Sequence, residues 1–328
     1  MAGKPCLEHA VRLLKRHGVE DIVVNLHYLP EQVTDYFGDG SRFGVRLTYS
    51  YEEELLGTAG GFKKVEEFFG GGTALIVSGD ALTDIDLGDF YRFHREQGAL
   101  ATLALKKVAD PTRYGVVVTD GARVVRFQEK PKREEAVSLL ANTGIYLFEP
   151  EIFREIPAGV FYDFGRQVFY DLLRQGNPPG GFELNGYWCD VGDLAVYREA
   201  HRDILKGRVR LDLPAEQGDL RTGRNVVIHK KAALTGPVLL GDGVTVEEGA
   251  TIAGPAFLGA GTCVGKKAVI EEGILWNNVV VEEGARLNGT IVADGCRVPA
   301  GVVCGQVVLE PVTLQQVLEA AAAKEELR

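Results

Sequence analysis

The sequence predicts an α/β domain followed by a β-helix of stacked coils, and three observations lead there. Through the first two hundred residues, short apolar runs alternate with amphipathic segments, as in βαβ units. From Ile228 to Trp276 an aliphatic or aromatic residue recurs at every sixth position without a break. Inside the first region, Ala74-Leu-Ile-Val77 has no polar alternation and stops at Ser78-Gly79-Asp80, which sets a carboxylate at the end of a buried strand.

The elements follow in order. Leu7, Ala10, Val11, Leu13 and Leu14 share one helical face, with Gly18 as the stop. Ile22–Asn25 reads as a strand, Pro30–Phe37 as a helix, Val45–Ser50 as a strand and Gly60–Phe69 as a helix. The stretch Leu56-Gly-Thr-Ala-Gly60 opens that last helix, so its N–H groups are expected to be free for a ligand, although a plain turn has the same composition. At Ser78-Gly79-Asp80 the carboxyl edge of an open sheet is where ligands bind, and Gly79 lets backbone approach one closely. Asp84 and Asp86 precede the helix Leu87–Gln97, and either can cap it. All three aspartates can be read as caps and turns; Asp80 is the candidate ligand.

Leu100–Lys106 is the next strand, and the alternation implies right-handed crossovers and a parallel sheet. Tyr114–Thr119 and Arg123–Phe127 flank Asp120-Gly121, a hairpin signal. Pro131 then ends the strand and holds Glu129 and Lys130 at its edge. Asn142–Phe148 is a strand with a polar, glycine-containing start; helices follow at Pro150–Ile156 and Asp163–Gln175. Tyr187-Trp-Cys-Asp-Val-Gly192 presents a second carboxylate, Asp190, and the helix Leu194–Lys206 closes the domain.

Ile228, Leu234, Leu240, Val246, Ile252, Leu258, Val264, Ile270 and Trp276 keep the six-residue period, with smaller residues two positions before each. Gly243, Gly249, Gly261 and Gly273 share one phase of it, the signature of a β-helix with inward aliphatics and turn glycines. The period slips near Asn277, and Thr313–Arg328 patterns as a helix able to cover the open end. Such a module ordinarily serves support and oligomer contact.

Composition excludes several classes. A length of 328 residues suits two domains. A net charge of −10 argues against non-specific binding to nucleic acid or to an anionic membrane, so a site for an anionic ligand must supply its own cations. No apolar run approaches the ~20 residues of a membrane span, no signal peptide opens the chain, and the expected location is cytoplasmic. Five scattered cysteines without a CxxC pair read as reduced thiols, and the six histidines form no metal-ligand pair.

Together the motifs resemble the NDP-sugar pyrophosphorylases (sugar-1-phosphate nucleotidylyltransferases), most of all the mannose-1-phosphate guanylyltransferase branch. The resemblance rests on Gly3-Lys-Pro5 with Leu7-Glu-His9, Leu56-Gly-Thr-Ala-Gly60, Ser78-Gly-Asp80 with Leu82–Leu87, Tyr114-Gly115, Glu129-Lys-Pro131, Asn142-Thr-Gly144 and Gly186-Tyr-Trp-Cys-Asp190. It implies a Rossmann-like nucleotidyltransferase domain over 1–208 that lacks its first strand. A left-handed parallel β-helix with a C-terminal helix would then occupy 222–328. Asp80 and Asp190 match the two Mg2+-binding aspartates, and Lys130 the lysine that neutralises the sugar phosphate. Glu129, Asn142, Gly144 and Gly115 match positions around the sugar; Gly57 and Gly79 match substrate-binding positions, Gly57 in the nucleobase loop. There Glu52 or Glu54 is expected to face the base. The implied reaction joins an NTP and a sugar 1-phosphate into an NDP-sugar and pyrophosphate. GTP and mannose 1-phosphate are the expected pair, glucose 1-phosphate is the chief competing sugar, and a homo-oligomer is expected to form through the β-helix.

The family's N-terminal strand, its GxGTRL-type loop and a Pro-Lys-Pro segment are not found in the sequence. The preferred explanation is a misplaced start codon. The missing strand belongs at the middle of the sheet, so its neighbours are expected to lack hydrogen-bond partners and to leave apolar helix faces uncovered. Two rival readings remain. One is a non-catalytic nucleotide-sugar-binding regulator or partner subunit, favoured by the absent triphosphate loop. The other is a hexapeptide acyltransferase, disfavoured because only His229 lies among the coils.

Overall fold

The computed structural model describes residues 1–214 and 216–310; the helix expected over Thr313–Arg328 lies outside them. Two compact units are present: Cys6–Asp190, and Met1–Pro5 together with the chain from Val191 onward. Among the described residues, no helix is long and apolar enough to cross a membrane.

The unit Cys6–Asp190 runs α1 (Cys6–Arg16), β1 (Asp21–Leu26), α2 (Pro30–Phe37), β2 (Arg46–Tyr51), α3 (Gly57–Lys64), β3 (Ala74–Val77), β4 (Ala81–Thr83) and α4 (Leu87–Gln97). It continues through β5 (Ala101–Lys107), β6 (Val116–Asp120), β7 (Arg123–Gln128), β8 (Leu140–Phe148), α5 (Phe169–Arg174), β9 (Gly180–Glu183) and β10 (Trp188–Asp190). Six strands form one sheet in the order β3-β8-β5-β9-β7-β6. The parallel sheet expected from the alternation is corrected to a mixed one. β8 is inserted between β3 and β5 and runs antiparallel to both, which leaves β5·β9 the one parallel pair in this sheet. The sequence pattern also hides β9. Its Gly180 and Gly181 weaken any strand signal, yet a Cβ there would lie 2.9 Å from Thr102 Oγ1 and 3.0 Å from Leu105 Cδ1 respectively. The segments expected as helices after β8 differ too. Pro150–Glu155 is a 3₁₀ helix, and a π-helical turn, Phe164–Val168, precedes α5.

β1 and β2 pair in parallel but form a sheet of their own. Between β1 and β3 lies a slot of about 590 Å³, walled by Leu7, Val11 and Leu14 of α1, Val23 of β1 and Ile76 of β3. β1 and β3 belong to separate sheets among the described residues. Val11 and Leu14 of α1 are buried, so the uncovered helix faces expected from a missing strand are not seen at these residues.

In the second unit the coils stack through three sheets, with parallel pairing between successive coils. Leu240, Val246, Ile252, Leu258, Val264 and Ile270 point inward and are buried, as are Val238, Val244, Ala250, Ala256, Thr262 and Ala268 two positions before them. Successive coils are eighteen residues apart where Thr245 pairs with Cys263, and seventeen apart where Cys263 pairs with Val280. The slip therefore comes at Glu272-Gly273, earlier than Asn277. One residue is lost from a turn, so Leu275 takes the inward place expected of Trp276 and Leu258 pairs with Leu275. Trp276 is 39% exposed and donates its indole N–H to Tyr197 Oη at 2.9 Å. Helix α6 (Leu194–Leu205), expected to close the first domain, packs within this unit, with Tyr197 and Leu205 on Leu239, Phe257 and Ile274.

Truncating a fully buried aliphatic costs its transfer energy and leaves a cavity. Ile252→Ala is therefore expected to lower unfolding free energy by about 2–5 kcal/mol. Val303→Thr, at a position 74% exposed, should stay within about 0.5 kcal/mol. Urea denaturation followed by circular dichroism compares the two.

Candidate functional site

The three aspartates near the end of β3 have separate jobs. Asp86 caps α4, its side chain accepting from the Asp89 N–H at 3.0 Å. Asp84 is buried, and its Oδ1 accepts the Tyr187 N–H at 2.6 Å. Asp80 is exposed and receives the Ser78 hydroxyl at 2.6 Å. Gly79 beside it is packed closely on α1: a Cβ there would lie 3.3 Å from Leu7 Cδ1.

β4 and β10 form an antiparallel pair in which Asp190 stands opposite Ala81, the residue after Asp80. Two far-separated segments thus bring Asp80 and Asp190 to one place. The Cys6 thiol reports the same convergence: burial pushes it up to about 11, and the Asp80 and Asp190 carboxylates push in the same direction. A tight corner sets the pairing. The Thr83 hydroxyl donates to Tyr187 O at 2.8 Å, Lys106 Nζ donates to Gly186 O at 2.6 Å, and the Trp188 indole donates to Thr143 O at 3.0 Å. Gly186 is required at this corner, since a Cβ would lie 2.3 Å from Asp84 Oδ1.

Lys130 follows β7 in a left-handed conformation, φ 40°, which is strained for a residue with a Cβ. Its N–H donates to Tyr114 O at 3.1 Å. The Tyr114 ring packs edge-on against Trp188 at 5.2 Å, and Asp190 adds to the burial that raises its phenol. Through Tyr114 the Lys130 backbone is tied to the strand that carries Asp190. The Lys130 ammonium makes no hydrogen bond or ion pair among the described residues, though Glu129 feels its charge.

Glu129 is half-buried between two glycines. A Cβ on Gly115 would lie 2.8 Å from its Oε2, and a Cβ on Gly165 3.0 Å away. Burial holds its carboxyl above the usual range, opposed by Lys130 and reinforced by Asp163. Asn142 lies across the β6–β8 junction. Its N–H donates to Gly115 O at 2.7 Å, and its side-chain amide donates to Tyr146 Oη at 2.8 Å. Gly144 has φ +75°, and a Cβ there would lie 3.1 Å from Ser78 Cβ. Gly115, Glu129 and Asn142 therefore form one cluster, and Gly144 sits against the Ser78-Gly79-Asp80 turn.

Asp163 and Tyr146 join the cluster without having been singled out in the sequence. Asp163 accepts the N–H groups of Gly165 and Arg166 and the Thr58 hydroxyl, at 2.9, 3.2 and 2.9 Å. Burial raises the Tyr146 phenol, with Asp163 and Glu129 adding to it. The one available signal for Asp163 was its place at a helix start, and it does cap one.

The loop at Gly57 is less open than expected. Ala59 and Gly60 both donate to Tyr162 O at 3.0 Å, and Leu56 N–H donates to Glu52 Oε2 at 3.0 Å. Only the Gly57 and Thr58 N–H groups lack an acceptor among the described residues. Gly57 has φ +73°, and a Cβ there would lie 2.5 Å from Tyr162 O. Glu52 is buried and also accepts from Asn25 at 3.1 Å, so its carboxylate clamps the loop; Glu54 is exposed.

A sequence profile for nucleotidyl transferases matches residues 1–207. The chain belongs to the nucleotidyl transferase family. A second profile, for GlmU-like C-terminal hexapeptides, covers residues 230–310. Among curated relatives, the family member is 39% identical to a UTP–glucose-1-phosphate uridylyltransferase of Synechocystis sp., over 72% of this chain and 66% of that protein. It is 35% identical to a mannose-1-phosphate guanylyltransferase of Mycobacterium tuberculosis, over 63% of this chain and 57% of that one. The chain thus spans less than two thirds of the length of these relatives. A Bacillus anthracis structure assigned as a glucose-1-phosphate thymidylyltransferase, in complex with sucrose, superposes with a TM-score of 0.56 at 26% identity, over 63% of this chain and 85% of that chain. These relatives are named for three different bases, so similarity by itself does not single out the guanylyl branch.

Gly186→Ala forces a methyl into a buried carboxylate. It is expected to cost about 1–3 kcal/mol, whereas Gly72→Ala, with only Phe69 O at 3.4 Å, should cost little; thermal melts compare them. Glu129 titrates at a higher pH folded than unfolded, so the folded state holds its proton longer. Stability then falls as pH rises from the ordinary value of 4.5 through the folded value. Glu129→Gln removes that loss. Urea midpoints measured across this range should decline for the wild type relative to the variant.

Proposed function

We propose that this chain transfers a nucleotidyl group from an NTP to a sugar 1-phosphate, giving an NDP-sugar and pyrophosphate. The observation that carries the reading is the convergence of Asp80 and Asp190 on the β4–β10 ladder. In the proposed reaction a sugar-phosphate oxygen attacks the α-phosphorus in line. The new P–O bond forms as the bond to the β-phosphate oxygen breaks, and pyrophosphate leaves with that electron pair. Such chemistry asks for positioning and charge neutralisation rather than a protein nucleophile.

Asp80 and Asp190 suit Mg2+, which takes one or two carboxylates and fills its remaining positions from phosphates and water. No group of three or more acidic, His or Cys side chains that could hold a metal gathers among the described residues. When bound, the ion would neutralise charge on the nucleotide's phosphates. Lys130 offers an uncommitted cation to the sugar phosphate. Glu129 and Asn142 offer acceptors and a donor to sugar hydroxyls, with Gly115 and Gly144 leaving room, and Gly57 with Thr58 offers N–H groups to the base. We assign GTP and mannose 1-phosphate as the first pair to test. The similarity to a uridylyltransferase supports UTP and glucose 1-phosphate as the second. Oligomerisation through the coils belongs to the same reading.

One observation favours a second reading, a nucleotide-sugar binder without turnover. An apolar slot lined by Ser78 and Gly79 lies beside Asp80 and offers volume for a ligand apart from the paired carboxylates. Acyl transfer has less support: His229 Nδ1 accepts the Lys231 N–H at 3.2 Å in a turn.

The deciding experiment is pyrophosphate release with paired NTPs and sugar 1-phosphates, alongside NDP-sugar binding. Transfer predicts release that falls about 10²–10³-fold in Asp80→Asn and in Asp190→Asn, with a raised KM for sugar phosphate in Lys130→Ala. Turnover unchanged by both aspartate substitutions would sink the proposal. Binding without release in any pair would leave the second reading standing.

A further inference from the structure

Helix α6 presents Arg198 and Arg202 one turn apart, and both line a cavity of about 240 Å³ that also meets Ala195, Pro255, Ile274 and Gln306. The two arginines are not equivalent. Arg202 is neutralised: it donates to Glu272 Oε2 at 2.7 Å and to Glu199 Oε2 at 3.2 Å. Arg198 has no carboxylate partner among the described residues, and its one protein acceptor is the Gly289 carbonyl. A guanidinium has five N–H donors, so most of this fork is uncommitted. Partial burial and the neighbouring Arg202 both disfavour its charge, holding its pKa below the ordinary value. Of the charged side chains lining the cavity, only Glu272 is acidic, and Arg202 already holds it.

We propose that this cavity is an anion site in which Arg198, with the Gln306 amide, binds a phosphate group, free or as a small phosphomonoester. Arginine's planar fork pairs with phosphate through two parallel hydrogen bonds. The volume lies below the roughly 300–1,000 Å³ of drug-sized pockets, which suits a small anion. Glu272 limits affinity, because its carboxylate faces the same space. Neither Asp80, Asp190 nor Lys130 takes part.

Titration calorimetry on the full chain, with inorganic phosphate, glycerol phosphate and acetate, tests this. Phosphate is expected to bind the wild type more tightly than acetate. Arg198→Ala should weaken binding about ten-fold or more, Arg198→Lys should weaken it less, and Glu272→Gln should tighten it. A preference for glycerol phosphate would point to a phosphomonoester, and a preference for inorganic phosphate to the free ion. Circular dichroism checks folding; if Arg198→Ala does not fold, Arg198→Lys and Gln306→Ala decide, and full phosphate affinity in both overturns the site. No phosphate binding to the wild type would overturn it, as would binding lost in Lys130→Ala but kept in Arg198→Ala.

Discussion

The candidate site depends on one short ladder, the antiparallel pairing of residues 81–83 with 188–190. Thr83 and Tyr187, which anchor its corner, are 104 residues apart in the chain. A buried carboxylate is costly unless its oxygens are hydrogen-bonded. Asp84 meets that demand with the Tyr187 N–H, which leaves the β10 segment little choice of position. Gly186 has no side chain to obstruct the carboxylate, and Lys106 ties down its carbonyl. Asp190 stands opposite Ala81 as a consequence, so the aspartate best fitted to hold the structure lies between the exposed Asp80 and the capping Asp86.

The opposite choice governs Glu129. Gly115 and Gly165 close on its carboxylate, which is half-buried without a hydrogen bond among the described residues. Burial raises this acid while Lys130 and Arg166 only partly offset it, which marks Glu129 as a candidate binding group. The surrounding elements are firmly fixed. Asp163 joins Thr58 to the π-helical turn, and Tyr162 holds the Gly57 loop through paired N–H bonds. The Leu56, Ala59 and Gly60 N–H groups of that helix start are therefore consumed inside the protein.

The coils rest on simpler physics. Aliphatic side chains at a fixed period stack into a dry column, and each coil satisfies the backbone of the next. One turn shortened by a residue shifts which side chain faces inward from there on. Trp276 then lies outside, where its N–H reaches Tyr197 on α6. The slot in the other unit is the reverse case. There the apolar side chains of α1, β1 and β3 line a cavity instead of meeting in a continuous column.

Local chemistry made much of this legible in advance. The six-residue period alone specified the coils, because only inward aliphatics repeat that way. Apolar runs, Asp120-Gly121 and the helix caps marked most elements of the first unit, and Ser78-Gly79-Asp80 marked where a strand delivers a carboxylate. Strand direction was beyond such signals: β8 enters the sheet reversed between β3 and β5, and register between distant strands leaves no imprint on either one. The strand end singled out Asp80, but nothing local gave Asp84 its structural role or named Asp163 and Tyr146, since a side chain's role is set by which distant N–H, hydroxyl or glycine meets it. Residue types determined which groups were available for chemistry; long-range pairing decided which of them meet, because burial and hydrogen-bond satisfaction are properties of neighbours brought together only by folding.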